Sequence, residues 1–175
     1  MSSVKNFNIR PANINDAEGI AKIHVGTWQF AYKGQLSDDY LDSLSVEKRT
    51  ERWKEILNKP QLDNWSLVAE LNGQIVGFCT VGKSRDEDAD SKIGELWAIY
   101  IDPQYMDKGI GTALMNEGLK ILKGKGFNKA TLWVLESNDK TRGFYEAKGW
   151  TTDGKTKTEK QGDVELHVIR YSINL

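Results

Sequence analysis

Glu95-Leu-Trp-Ala-Ile-Tyr-Ile-Asp-Pro103, followed after two residues by Met106-Asp-Lys-Gly-Ile-Gly-Thr-Ala-Leu114, carries a strand straight into a helix through glycines. The aliphatic and aromatic run from Gly94 to Asp102, closed by Pro103, predicts a buried central strand. Ile110, Leu114, Ile121 and Leu122 predict a helix that ends in 124–126, and Ala130 to Leu135 predicts the next strand. A strand, a crossover helix and a second strand in one sheet run parallel and right-handed. Gly109 and Gly111 lack Cβ atoms, so successive N–H groups at the helix start can point into one concavity, where the macrodipole adds partial positive charge. Lys108 adds a mobile cation and Thr112 a hydroxyl at the same end. Such a loop suits a diphosphate; the competing reading is a tight turn that needs glycine for geometry alone.

Outward from this unit, the period of the pattern changes twice. Phe7 to Arg10 alternates apolar and polar residues before Pro11, as a short strand does. Asn15, three residues before Glu18, is the expected cap of a helix whose stripe Ile20, Ile23, His24, Thr27, Trp28 and Ala31 runs to about Tyr32. Gly34 ends it, a short helix follows from Ser37 to Leu44, and another starts after Ser45 and stops at Pro60. Trp65, Leu67, Ala69 and Leu71 then share one face, and Asn72-Gly73 turns the chain into a returning strand, Gln74 to Val81. Ser84 to Lys92, with Asp86, Glu87, Asp88 and Asp90, reads as a solvated linker with nothing to bury. After the middle unit, Ser137 or Asn138 caps a helix to Lys148, and a final hairpin from Trp150 to Tyr171 turns around Gln161-Gly162-Asp163.

The 175 residues carry 24 basic and 25 acidic side chains, a formal net charge of −1, and 39% of them are hydrophobic. A chain of this length buries about 70% of its unfolded surface, so residues 1–175 are expected to form one α/β domain with a single core. The balanced charge argues against a nucleic-acid partner, whose phosphates need a basic surface. No stretch approaches the ~20 apolar residues of a membrane helix. The lone Cys79 and the start MSSVKNFNIRPAN, which lacks an apolar signal core, predict a cytoplasmic protein. His24, expected on a helix face, His167 and Cys79 have no partners at ligand spacing, so no metal site is expected.

Met106 to Gly111 resembles the coenzyme A pyrophosphate loop of the GCN5-related N-acetyltransferase (GNAT) family, Q/R-x-x-G-x-G/A. Asn138 and the run Gly143-Phe-Tyr-Glu-Ala-Lys-Gly-Trp150 resemble that family's next helix, and Ile9-Arg10-Pro11-Ala12 with Asp16 resembles its usual opening. The resemblance therefore spans essentially the whole chain. It implies a mixed, mostly antiparallel sheet flanked by helices, with a splayed parallel pair formed by the strands around Gly94–Asp102 and Ala130–Leu135. It also implies an acetyl-CoA-dependent N-acetyltransferase that moves an acetyl group to a primary amine by direct transfer in a ternary complex. A small-molecule amine such as a polyamine, or a protein amine, is the implied acceptor, and paired strand edges make a homodimer the expected assembly. Met106 departs from the family's glutamine or arginine; contact through its backbone N–H keeps the site workable.

The resemblance implies that Met106, Asp107, Lys108, Gly109, Ile110, Gly111 and Thr112 hold the pyrophosphate, with Asn138 on the pantetheine arm. Backbone groups of Ile99, Tyr100 and Ile101 face the acetyl carbonyl and pantetheine. Tyr145 is the candidate acid, because a phenol of pKa about 10 can protonate a departing thiolate. Glu95 stands sixteen residues before Gly111, where a catalytic glutamate stands in the histone-acetylating branch, and is the candidate base, directly or through water. Trp28 and Tyr32 are candidate acceptor-pocket residues that hold an amine by cation–π contact. A non-catalytic acyl-CoA sensor of the same fold is the main rival. Gly77 to Ser84 also satisfies G-x-x-x-x-G-K-[ST], so a P-loop hydrolase is a further rival, although its flanks lack the required strand-to-helix context.

Overall fold

The computed structural model describes residues 6–59, 63–162 and 164–175. The expected helix stop at Pro60, the turn residue Asp163 and the start Met1 to Lys5 lie outside the described residues. Strand β1 (Asn8–Pro11) leads through one 3₁₀ turn into α1 (Ala17–Ala31), then α2 (Asp38–Asp42) and α3 (Val46–Asn58). The hairpin β2 (Asn64–Leu71) and β3 (Gln74–Lys83) precedes β4 (Ile93–Ile101), α4 (Ile110–Gly124), β5 (Lys129–Leu135) and α5 (Asp139–Ala147). Strands β6 (Thr151–Gln161) and β7 (Val164–Asn174) close the order.

The strands form one seven-stranded sheet in the order β1-β2-β3-β4-β5-β7-β6. Only β4 and β5 pair in parallel; the other neighbours are antiparallel. Helices cover both faces. Ile20 and Ala21 of α1 and Trp53 of α3 pack with Val68 and Phe78 on one face. On the other, Leu114, Met115 and Leu122 of α4 pack with Leu67, Cys79 and Val81. Burial on both sides explains why β2 and β3 read as nearly continuous apolar runs, with neighbours in sequence serving opposite cores. Asn72 and Gly73 both adopt positive φ (52° and 79°), as the tight turn between these strands requires. A third, smaller cluster joins Leu36 and Leu41 to Leu166 of β7, tying the last hairpin to the α1–α2 junction.

The sequence misplaces the first cap by two residues. Asn13 accepts from the N–H of Asn15 (3.0 Å), and Asp16 accepts from the N–H of Asn13 (2.8 Å), a reciprocal box before the apolar stripe begins. Asp16 wins over Glu18 because Arg10 of β1 reaches it at 2.7 and 2.8 Å while also bonding Glu70 of β2 at 2.6 Å. That guanidinium holds the Asp16 carboxyl below its usual range. Ser37, Ser45 and Asn138 cap α2, α3 and α5 as their residue types predict. Strand β4 starts one residue earlier than expected and β6 one later. Among the described residues no helix is long and apolar enough to cross a membrane.

His24 is not on an open helix face. Its ring stacks on Tyr100 at 5.2 Å and lies 5.9 Å from Phe78, and its buried Nδ1 has no hydrogen-bond partner among the described residues. Burial, reinforced by the positive charge of Arg49, pushes the imidazole down to about 4 from 6.5. The unfolded chain therefore takes up this proton near pH 6.5 while the folded chain resists it until about pH 4. Stability is expected to fall as pH drops through this window, by up to about 1.4 kcal/mol per pH unit. Urea unfolding at pH 7.5, 5.5 and 4.5 should show that loss, and His24→Phe should flatten it; equal pH slopes for both proteins would remove His24 as the cause.

Candidate active site

The site begins where a hydrogen-bond ladder stops. β4 and β5 pair only from Ile93–Lys129 to Glu95–Thr131, although β4 continues to Ile101 and β5 to Leu135. β5 stays bonded to β7 over its whole length and β4 to β3 as far as Ile101, so the gap opens between two strands that are each paired on their other edge. In the β3–β4 register Thr80 faces Ala98 and Val81 faces Leu96, which leaves Trp97 as an extra residue. Such a bulge increases twist and bends its strand away. Backbone groups on the β5-facing edge of β4 past the bulge consequently open onto a gap. A cavity of about 1060 Å³ fills it, walled by β4, β5, the starts of α4 and α5, the C-terminal end of α1 and the inner face of β6.

One end of the cavity meets the start of α4. Asp107 and Gly109 take left-handed conformations, φ 59° and 84°, and Gly109 contributes no side-chain cap. The first backbone bond of the helix runs from the N–H of Ala113 to the carbonyl of Gly109 (3.0 Å), so the N–H groups of Ile110, Gly111 and Thr112 precede any intrahelical acceptor. Free donors and the helix dipole make this an anion cradle. Met106, Asp107, Gly109, Gly111 and Thr112 line the cavity. Ile110 offers only its backbone, since its side chain is buried in the core. The Lys108 ammonium lies 5.0 Å from the Tyr105 ring, and Asp107 sits 3.5 Å from Lys140.

Across the gap, Asn138 accepts from the N–H of Thr141 (3.1 Å), and its side chain also borders the cavity. One residue type thus serves as helix cap and leaves its amide N–H₂ for a ligand. Tyr145, about two turns further along α5, is buried against Phe144 and Trp150, with ring centroids 5.3 and 5.9 Å away. Its side chain borders the cavity and its hydroxyl bonds no described residue. Burial pushes this phenol above its ordinary value, so it stays protonated.

Glu95 is only 2% exposed and is held entirely by Arg85. Its Oε2 accepts from the backbone N–H of Arg85 (2.9 Å) and its Oε1 from the guanidinium (2.6 Å). Arg85 stacks in turn over Trp97, the bulge residue, at 4.6 Å. A buried carboxylate needs such a counter-charge, and no sequence spacing pointed to Arg85. The loop that carries it is also more than a solvated linker. Asp86 accepts from the Trp133 indole (2.9 Å) and from Arg170 (3.2 Å), which also bonds Asp88 (2.8 Å) and Asp153 (2.6 Å). The carboxylates of Asp86 and Asp88 are spent on anchoring.

Trp28 and Tyr32 border the cavity from α1, their rings 4.7 Å apart, and the Trp28 indole donates to the Tyr100 hydroxyl at 3.2 Å. The Tyr100 ring packs toward His24, leaving its backbone beside those of Ile99 and Ile101 at the gap. Sequence reading also missed Glu159 of β6, because a polar residue on a mostly exposed strand carries no signal of a wall across the fold. Gly77 to Ser84 forms no phosphate cradle: Gly77 to Lys83 lie in β3, bonded between β2 and β4, and a loop rather than a helix follows.

Residues 28–150 match the model of the acetyltransferase (GNAT) family. An uncharacterised N-acetyltransferase of Bacillus subtilis, YuaI, is 32% identical over 79% of this chain and 77% of its own. The spermidine N(1)-acetyltransferase of Thermoplasma acidophilum is 29% identical over 85% and 92%. The PaiA N-acetyltransferase of Thermoplasma acidophilum, solved in complex with coenzyme A, shares the fold with a TM-score of 0.75 and 26% identity, over 94% of this chain and 98% of that one.

Removing Arg85 strands the Glu95 carboxylate. Arg85→Met is expected to cost about 2 kcal/mol, less than the 3–5 of a wholly buried pair because the arginine side is more than half exposed. Thermal unfolding of Arg85→Met and of Arg85→Met/Glu95→Gln checks this, the double variant regaining part of the loss.

Proposed function

Because this chain belongs to the acetyltransferase (GNAT) family, we propose that its cleft transfers an acetyl group from acetyl-CoA directly to a primary amine bound in the same complex. It is an acetyl-CoA-dependent acyltransferase. The observation that carries the reading is the uncapped start of α4 opening into the same gap as the β4 edge and the Tyr145 hydroxyl. The N–H groups of residues 108–112 bind the pyrophosphate oxygens, and Lys108 adds charge from the rim. The β4 edge at Ile99, Tyr100 and Ile101 aligns the pantetheine amides as an added strand would, and Asn138 donates to them from α5. When bound, acetyl-CoA supplies the activated thioester.

The residues of this chain then have two proton tasks. Tyr145 holds its proton until negative charge develops on the sulfur beside it, then donates. Glu95, fixed by Arg85 and bordering the cavity, draws the proton from the incoming ammonium through an ordered water, which leaves a nucleophilic amine. Trp28 and Tyr32 present ring faces to that cation before it is deprotonated. A small polyamine is the acceptor this wall suits, in keeping with the spermidine acetyltransferase among the relatives.

Calorimetric titration with acetyl-CoA, and separately with ATP and magnesium, tests the reading: micromolar acetyl-CoA binding with silent ATP is expected, followed by turnover of a polyamine in an amine panel. Binding without acetylation of any amine would instead support a sensor. Tyr145→Phe keeps the ring packing and loses the proton, so kcat should fall at least tenfold with little change in acetyl-CoA affinity. Unchanged turnover would remove Tyr145 from the mechanism.

A further inference from the structure

The acceptor end of the cavity holds a carboxylate that the reaction itself does not use. Glu159 on β6 borders the same cavity as Trp28 and Tyr32, together with Gln161 from the same strand face. Its partner is the ammonium of Lys157, two residues back, at 2.9 Å. That ammonium also lies 4.2 Å from the centre of the Trp133 ring. Both members of the ion pair are 40% exposed, so the pair contributes at most about 1 kcal/mol and exchanges readily. Lys157 therefore keeps an aromatic contact when its carboxylate is taken. The wall itself is fixed: Leu166 packs with Leu36 and Leu41, and a Cβ on Gly162 at the hairpin end would fall 2.6 Å from the Tyr40 ring. The charge of Glu159 is also felt across the cavity, where it adds to burial in raising the phenols of Tyr32 and Tyr100.

We propose that Glu159 is the specificity-determining anchor for a second positive charge on the acceptor, and that the Lys157 ammonium is its internal stand-in, which gives up the carboxylate and keeps its contact with Trp133 when a diamine or polyamine enters. The inference rests on the amine-acetylating reading above and adds the residue that selects dications over monoamines. A distal ammonium meets the Glu159 carboxylate while Trp28 and Tyr32 receive the reacting amine, whereas a monoamine gains nothing from Glu159. Lys157 competes for the same carboxylate, so the two residues act with opposite sign.

Steady-state acetylation of 1,4-diaminobutane and n-butylamine by the full chain tests it. Glu159→Gln should lower kcat/KM about tenfold for the diamine and less than twofold for the monoamine, with unchanged acetyl-CoA affinity. Lys157→Met should raise diamine affinity severalfold. Equal losses for both amines, an unaffected diamine, or weaker diamine binding in Lys157→Met would overturn the assignment. Calorimetric binding of 1,4-diaminobutane to the coenzyme A-loaded and free protein separates the two readings. Diamine binding that depends on Glu159 without turnover sinks the catalytic reading alone, and amine turnover with diamine binding that does not depend on Glu159 sinks this inference alone.

Discussion

Past Glu95 and Thr131 the peptide groups of β4 and β5 no longer bond one another, and unpaired backbone groups facing a cavity wall demand partners. The structure meets half of that demand elsewhere: the outer edge of β5 is satisfied by β7 and that of β4 by β3. What remains is a row of donors and acceptors along the two inner edges, which diverge beside the bulge at Trp97. An extended ligand with amides of its own is the complement of such an edge. The cavity, the exposed start of α4 and the position of Tyr145 all follow from this unfinished ladder.

Keeping the gap open places charge where water is scarce. Glu95 sits at the last bonded pair of the parallel ladder, and it tolerates burial because Arg85 supplies three donors from one residue. Arg85 is itself fixed by stacking on the bulge residue and by the anchoring of Asp86 to Trp133 and Arg170. The β3–β4 loop is thereby strapped to β5 and β7 on the far side of the gap. A stretch of acidic residues without an apolar face became a brace through ion pairs whose partners lie more than eighty residues away in sequence.

Much of the architecture was legible because it rests on local rules. Serine and asparagine at helix starts, Asn72-Gly73 between two apolar runs, and the glycines before α4 each act within a few residues of themselves. The one cap that was misread, Asn15 in place of Asn13, failed for a non-local reason. Arg10 on a different element selects Asp16, and the box forms around the carboxylate that the arginine already holds.

The sequence by itself determined the order of strands and helices, the parallel crossover and the glycine loop that opens α4, because periodicity, turn chemistry and backbone sterics operate over short separations. It also singled out Tyr145, Glu95 and Asn138, through motif resemblance. Only the tertiary structure decided that Arg85 neutralises Glu95, that the Nδ1 of His24 is buried with no partner among the described residues, and that Glu159 borders the same cavity as Trp28 and Tyr32. Those facts depend on which distant segments are brought within a few ångströms and on how water is excluded between them. Charge pairing and burial are properties of that juxtaposition, which no residue type carries on its own.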